Sequence, residues 1–363
     1  MLWIWLYIIL MIILGIFILY MVYSSNYDHR PIIDGEIIVF IIISPIVISV
    51  GLLKVLIESI VYLFSKLHYF SRFWKKQTVG IMVSDIRWVY AINGKLQPEK
   101  RPVVHKIESS GEMVLAGGYI YSREAIVTVN PIISGVVCRY DEMKFMVKSF
   151  LKETFQYFSF KSYYNIAIPG VTAYFERNAL IESFRPKIIN TVLIPEVLSY
   201  SLDESNFGLI YLAHSFTEIT TVKNCIIQKS IHDNIGLDDL AIFVIKAVCS
   251  YIKVSRTTRI KALSSLMNEE DFIITGPNSY TASPLKINLS VSDFHNYTTH
   301  WIKSIKNLFM KLSKTNFKWY IISEYGKLDM IAALLSDECA VKIQPINDSY
   351  ELLAKELSLN HYK

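Results

Sequence analysis

Two apolar stretches near the start constrain this 363-residue chain more than any other feature. Met1–Tyr23 carries no charged side chain, and Ile37–Leu53 is a second uncharged run. About 20 apolar residues cross a bilayer core as a helix, and a somewhat shorter run can do so with adjustment. From Thr78 onward apolar and polar residues alternate as they do in a water-soluble domain. The pattern predicts a membrane anchor over residues 1–76, followed by a globular part of about 285 residues, enough for one large two-lobed domain or two smaller ones.

Charge orients the anchor. The connection Ser24–Glu36 holds Asp28, Arg30, Asp34 and Glu36, with a single fixed cation. The segment after the second run carries Lys66, Arg72, Lys75 and Lys76. Positive charge gathers on the cytoplasmic side, so both termini are expected inside and the short connection outside. Tyr69, Phe70, Phe73 and Trp74 suit the headgroup level, where the neighbouring cations favour anionic lipid. The first run lacks the basic start and small-residue cleavage site of a removed signal peptide. Lys54 and Glu58 read as a juxtamembrane turn whose long side chains reach the interface, rather than as an intramembrane ion path.

The net charge of +5 is small, and several of the cations lie beside the anchor. No basic face with interleaved aromatics follows, so nucleic acid is not an expected partner. Cys138, Cys225, Cys249 and Cys339 are scattered without metal-type spacing, and a cytoplasmic domain keeps them reduced. His214 and Ser215 are adjacent, but neighbours on a strand point to opposite faces, which argues against a catalytic pair.

Strand-like runs flank Asp85 at 79–93, with a turn at Asn93–Gly94. Further strands are predicted at 103–107, 113–121, 125–130 and 163–170. Helical spacing of Met143, Met146, Val147, Phe150 and Leu151 predicts a helix after Gly135. Thr172 is expected to cap the next helix, and TVLIPEVLSYSL to run from strand into helix. Residues 208–231 read as a hairpin. Helices are expected at Asp238–Val254, at Thr257–Asn268 and at Ser292–Lys314 with Ser292 as N-cap. Two extended runs lie between 271 and 291, about Gly276–Pro277. A buried strand (319–323), a helix (329–336), a short strand (VKIQP) and a final helix (349–357) complete the chain. Strands followed by helices, twice over, predict an α/β fold with two similar halves.

In this order the chain resembles the MreB family of rod-shape-determining bacterial actins, over roughly residues 79–357. NPIISGVVCRYDEMKFMVKSFL is similar to the family's "RP-x-x-x-GVIADF" strand and following helix, through Pro131, Gly135 and Asp141. IAIPGVTAYFERNALIESF is similar to "VPSGITEVERRAVEES", through Pro169, Gly170, Thr172, Glu176 and Arg177. SRTTRIKALSSL resembles "ERTAEEIKIEIGS", and LLSDECAVKI resembles "LLSEETGLPV". The stretch ITGPNSYTASPLKINLSVSDF falls where the family has "RGRDLVTGLPK". The resemblance implies a two-lobed actin/Hsp70-like (ribonuclease H-like) domain. Lobe I would span 77–206 and lobe II 207–345, with a C-terminal helix (346–363) returning to lobe I. More distant branches, such as pilus-assembly or cell-division actin homologues, share that fold.

Such proteins hold Mg-ATP between their lobes on two Gly- and Thr-rich turns, where a Cβ would occupy a phosphate's space. Against the family's "DLGTANT" this chain has DIRWVY: Asp85, the implied magnesium-side acid, is kept, while Arg87 and Trp88 replace glycine and threonine. Against "VVDIGGGTTEV" it has LIYLAHSFTEI. Tyr211 stands in place of the Mg-linked Asp, Ala213, His214 and Ser215 in place of glycines, and Thr217 and Glu218 are kept. Of the adenosine-side "LTGGGALL" only Gly326 keeps a glycine. Glu196 matches the acid that positions attacking water, and Asp239 a helix acid in the other lobe. Trp88 and His214 are expected to obstruct the phosphates, leaving no cofactor or a weak Mg-ATP interaction and no hydrolysis; Arg87 could instead hold a phosphate. The resemblance implies a cytoskeletal role at the bacterial inner membrane. Its partners would be the lipid bilayer, further copies or an intact actin-like paralogue, and envelope-synthesis or division membrane proteins. The segment matching the family's polymer-contacting subdomain, around Tyr119–Ala125, is short. An active ATPase with a rebuilt pocket and a scaffold holding a partner peptide between the lobes are the alternatives.

Overall fold

A computed structural model describes Lys54 and residues 57–61, 77–115, 125–133, 135–153, 162–185, 187–312 and 317–359. The chain divides into two compact units, Met1–Trp74 and Lys75–Lys363. In the first, Lys54 and residues 57–61 are helical with exposed side chains. Both apolar runs, the basic–aromatic segment 66–76 and residues 119–124 lie outside the described residues. Among the described residues no helix is long and apolar enough to cross a membrane.

The second unit repeats one plan twice. Its first half runs β1 (Gln77–Val83), β2 (Trp88–Ile92), β3 (Lys95–Leu96), β4 (Val104–Ile107), β5 (Met113–Leu115), β6 (Ile126–Val129), β7 (Ile132–Ile133) and β8 (Val136–Val137). It continues through α1 (Tyr140–Glu153), β9 (Ser162–Ile168), α2 (Tyr174–Ser183), β10 (Ile189–Leu193) and α3 (Ile194–Leu202). The second half comprises β11 (Phe207–Leu212), β12 (Thr217–Lys223), β13 (Ile226–Asp233), α4 (Leu237–Val248), α5 (Arg256–Met267), β14 (Phe272–Pro277) and β15 (Pro284–Leu289). It ends with α6 (Val291–Phe309), β16 (Lys318–Ser323), α7 (Asp329–Cys339), β17 (Ile343–Pro345) and α8 (Ser349–Leu359). The large sheets have orders β10-β9-β1-β2-β3 and β13-β12-β11-β16-β17. In each, a central strand (β1, β11) pairs antiparallel with its successor and parallel with a strand reached through a helical excursion. The fold is thus two-lobed α/β with two mixed five-stranded sheets, as the alternation of strands and helices predicts.

The sequence pattern explains the layering. All six residues of β11 are buried, as befits a central strand covered on both faces. In α1, Met143, Met146, Val147, Phe150 and Leu151 repeat at helical spacing and face the first sheet's outer core, with Trp88, Tyr164 and Phe184. The nineteen-residue α6 buries Phe294, Trp301, Ile302 and Ile305 in the outer core of lobe II. A third core joins the lobes: Met82, Val89 and Ala167 pack with Phe207, Leu209, Tyr320 and the α8 residues Tyr350, Leu353 and Leu357. The last helix therefore returns to lobe I. It lies so close that a Cβ on Gly80 would stand 2.2 Å from the Ala354 carbonyl. Asn165 Nδ2 also donates to Leu357 O at 2.7 Å.

Several local expectations change. Thr172 does not cap α2; its hydroxyl donates to Pro169 O at 2.8 Å and closes the Pro–Gly turn, so the cap position moves to Ala173, whose N–H donates to Glu176 at 2.7 Å. The cap of α6 is Ser290, not Ser292: its Oγ accepts from Asp293 N at 3.1 Å. Residues 208–231 form a three-stranded meander rather than one hairpin, because the 213–216 turn reverses the chain before β12. Helix α4 ends at Val248; beyond it Ile252 bridges to Asn278 and Lys253 N donates to Pro277 O, so the β14–β15 hairpin draws this backbone out of the helix. At 271–291 the reversal falls between β14 and β15, beyond Gly276–Pro277.

Candidate functional site

Three tight segments meet where the lobes face each other: 84–87 between β1 and β2, 213–216 between β11 and β12, and 324–327 after β16. In the first, Ser84 N donates to Arg87 O at 3.0 Å, and Ser84 Oγ accepts from Ile86 N and Arg87 N at 3.3 and 3.1 Å. In the second, Ala213 N donates to Phe216 O at 2.9 Å, and His214 N donates to the Glu324 carboxyl. The carbonyls of Ala213 and His214 accept from Leu237 N and Asp238 N at the start of α4.

The side chains then bind lobe to lobe. Asp85 is 3% exposed. One of its oxygens accepts from Gly135 N at 3.2 Å; the other accepts from the Ser215 hydroxyl and lies 3.7 Å from the Arg256 guanidinium. Arg87 donates to Glu99 at 2.7 and 3.0 Å, to Glu351 on α8, and to Glu324 O at 3.0 Å. Tyr211 and Tyr350 share a buried hydroxyl–hydroxyl bond of 2.5 Å.

Burial sets the protonation. Glu324 is buried beside the charge of Asp85, and its pKa is pushed up to about 8, so near neutral pH it is mostly a neutral acid. The Ser84 hydroxyl lies within its hydrogen-bonding reach. His214 is buried as well, which lowers its pKa to about 4 against the pull of Asp238. The neutral ring accepts from Arg256 Nε at 3.2 Å and so carries its proton on Nδ1, facing Tyr325 Oη at 2.9 Å. Its 3.7 Å approach to Asp238 is therefore not an ion pair; Asp238 is held by Arg259 through bonds of 2.7 and 2.8 Å. Burial works against the Arg87 charge, but Glu351 and Glu99 outweigh it and raise its pKa.

The sequence-predicted residues divide. Asp85, Arg87 and Gly326 line one interlobe cleft of about 1250 Å³. Thr217 is buried and donates to Ile235 O at 2.6 Å, away from the cleft. Glu218 is buried and accepts from Gly170 N at 3.0 Å, Thr220 Oγ1 at 2.7 Å and Ser230 Oγ at 2.9 Å; it ties the Pro169–Gly170 turn of lobe I to β12. Burial raises its pKa. Glu196, in the first turn of α3, is half-buried and not part of the cleft lining. Asp239 accepts from Gly236 N at 2.8 Å at the start of α4. Trp88 does not obstruct the cleft. It opens β2 with its ring turned into the outer core of lobe I, 1% exposed and stacked on Phe150 at 4.8 Å. The His214 ring is likewise buried behind Arg256 and Tyr325. Sequence reasoning missed Glu324, Tyr325, Arg256, Tyr350 and Glu351 as parts of the site; each lies more than a hundred residues from the first turn.

A magnesium triphosphate needs free backbone N–H groups and ionised carboxylates in these turns. Here the N–H groups of Ser84, Ile86, Arg87, Ala213 and His214 donate within the protein. Both Asp85 oxygens are engaged, Glu324 is largely neutral at pH 7, and Tyr211 is bonded to Tyr350. Among the described residues no cluster of three His, Cys, Asp or Glu side chains has metal-binding geometry. In this arrangement the residues at the phosphate end do not fit the group.

The two sheets of matching topology around an interlobe cleft define an actin-like fold. No protein-family model matches the chain, and no curated protein matches it in sequence. Solved structures do match in fold. MreB5 of Spiroplasma citri bound to ADP has a TM-score of 0.66 at 12% identity, over 78% of this chain and 95% of that one. A MamK double helical filament has a TM-score of 0.61 at 10% identity, over 78% and 98%. The ethanolamine utilization protein EutJ from Carboxydothermus hydrogenoformans has a TM-score of 0.52 at 10% identity, over 78% and 90%. At such identities the likeness shows the fold and nothing finer.

Proposed function

We propose that this protein is a membrane-tethered, structural member of the actin-like fold that does not turn over ATP. Its N-terminal pair of apolar runs would insert in a bacterial inner membrane and hold the two-lobed unit on the cytoplasmic face. There it would attach a filament or an envelope-assembly complex. The observation that carries the reading is the closure of the phosphate end: Asp85 accepts from Ser215, and Glu324 accepts from His214 N. The fold shared with MreB5 and with filament-forming MamK supports assembly, with further copies or with an intact actin-like relative. A built-in anchor would replace a reversible surface contact with one that is effectively permanent.

The test is calorimetric titration of Mg-ATP into the full chain in lipid nanodiscs. The expected result is no saturable heat at millimolar nucleotide. Saturable binding that disappears in Asp85→Ala would instead establish a rebuilt pocket and nucleotide-controlled assembly.

A further inference from the structure

We propose that the open part of the interlobe cleft docks an extended acidic segment of a partner protein, with carboxylates alternating with apolar side chains. The inference rests on the reading of the cleft as free of Mg-ATP and names what occupies it instead.

Charge comes first. Arg101 and Arg139 from lobe I and Lys261 and Lys327 from lobe II line the cleft, and all four are exposed. Among the described residues none of them is paired with a carboxylate. The acids that share the cleft cannot balance them: Asp85 is engaged by Ser215 and Arg256, Glu99 by Arg87, and Glu324 is mostly neutral. Four uncommitted cations across two lobes suit a polyanion that touches both sides.

The walls decide which polyanion. Val127, Val129, Ile260 and Phe272 share the cleft lining with the cations, so the partner must carry apolar groups as well as charge. Tyr325 is buried and Phe272 half-buried, which leaves no exposed aromatic platform for stacked bases among the described lining residues. The Ile86, Arg87 and His214 amides already donate within the protein, which counts against a cradle for a terminal phosphate chain. Strand β6 adds a backbone template. It runs along the cleft and pairs only with β4 among the described residues, and Val127 on it is 44% exposed. An exposed apolar edge strand is a site for strand addition, where the main chain supplies affinity and alternate side chains supply specificity. A peptide added to β6 would place every second side chain toward the cleft.

The experiment uses the full chain in nanodiscs and a fluorescent peptide of about twelve residues, alternating Glu with Val and Thr. A block isomer of the same composition and a single-stranded oligonucleotide of equal charge serve as comparisons. Saturable anisotropy is expected for the alternating peptide, weakening as salt is raised. The charge-reversed pair Arg139→Glu with Lys261→Glu should lose about tenfold or more in affinity, and the conservative pair Arg139→Lys with Lys261→Arg should restore it. Both positions are exposed, and unchanged thermal unfolding confirms that the variants fold. Equal binding of the block isomer, tighter binding of the oligonucleotide, or indifference to charge reversal overturns the proposal. Peptide binding that Mg-ATP displaces supports the groove but sinks the nucleotide-free reading. Failure of both ligands to bind sinks the groove alone.

Discussion

The buried carboxyl of Glu324 makes stability fall as pH rises from neutral to mildly alkaline, and the size of the fall follows from two groups. Glu324 has its pKa raised from 4.5 to about 8, so between these values the folded protein holds a proton that the unfolded chain has released. Stability then drops by about 1.4 kcal/mol per pH unit. His214 has its pKa lowered from 6.5 to about 4, so between those values the unfolded chain holds a proton that the folded protein lacks, and stability rises with pH by the same slope. From about pH 4.5 to 6.5 the two slopes cancel. Above 6.5, of these two groups only Glu324 still contributes, and by itself it removes about 2 kcal/mol by pH 8. Glu324→Gln removes the acid while keeping a group that can accept from His214 N. Its stability should climb from pH 4.5 to 6.5 and then stay level. Thermal unfolding of the full chain in detergent, followed by tryptophan fluorescence at pH 5.5, 6.5 and 8, checks this. A wild-type midpoint that drops by a few degrees between pH 6.5 and 8, and a variant midpoint that does not, are the expected results. A flat or rising wild-type profile over that interval, or the same fall in Glu324→Gln, would refute a neutral acid beside Asp85.

Three other outcomes are expected. Trp88→Thr, which recreates the residue type of the resembled family, should destabilise by about 3–5 kcal/mol, because it empties core space beside Phe150. It should not create nucleotide binding, and saturable ATP heat in this variant would return Trp88 to the phosphate turn. Tyr350→Phe strips the buried Tyr211 hydroxyl of its 2.5 Å partner and should cost about 1–3 kcal/mol in denaturant unfolding. The double variant with Tyr211→Phe should recover part of that loss, and strict additivity would show that the two hydroxyls are not coupled. Gly208→Ala places a Cβ 2.3 Å from the Trp319 ring, and the lobe II core must shift by an overpacking cost of about 1–3 kcal/mol, read as a lowered unfolding midpoint.

How far the site was legible follows from sequence separation. The strand–turn–strand around Asp85 and the meander from Phe207 show in the run of apolar residues and in the turn residues between them, because each turn closes locally. The residues that face Asp85 do not show. Ser215 lies 130 positions away, and the Arg87 contact to Glu324 spans 237. No spacing rule connects them. Likeness to a family motif does not report which way a side chain faces. Trp88 falls where a threonine faces phosphate in the family, yet as the first residue of β2, paired with Val83, its ring joins the α1 side of the sheet. Thr217 and Glu218 match the family's motif, but one bonds to Ile235 O and the other to the Gly170 turn. The caps differ through equally local competition: the Thr172 hydroxyl is taken by Pro169 O, and Ser290, two residues before Ser292, accepts from Asp293 N.

What the sequence determined by itself is periodic and local: two uncharged apolar runs before an α/β region, the strand–helix alternation repeated in two halves, and the amphipathic faces of helices such as α1. These are properties of neighbours within a few positions, and burial of apolar surface enforces them wherever the element packs. The tertiary structure alone decided the chemistry of the cleft. Whether Asp85 meets a metal or a serine, whether Glu324 is charged, and which cations are left without a partner all depend on groups from distant segments sharing one low-dielectric space. That space exists only after the interlobe core of Met82, Phe207, Tyr320 and α8 has closed.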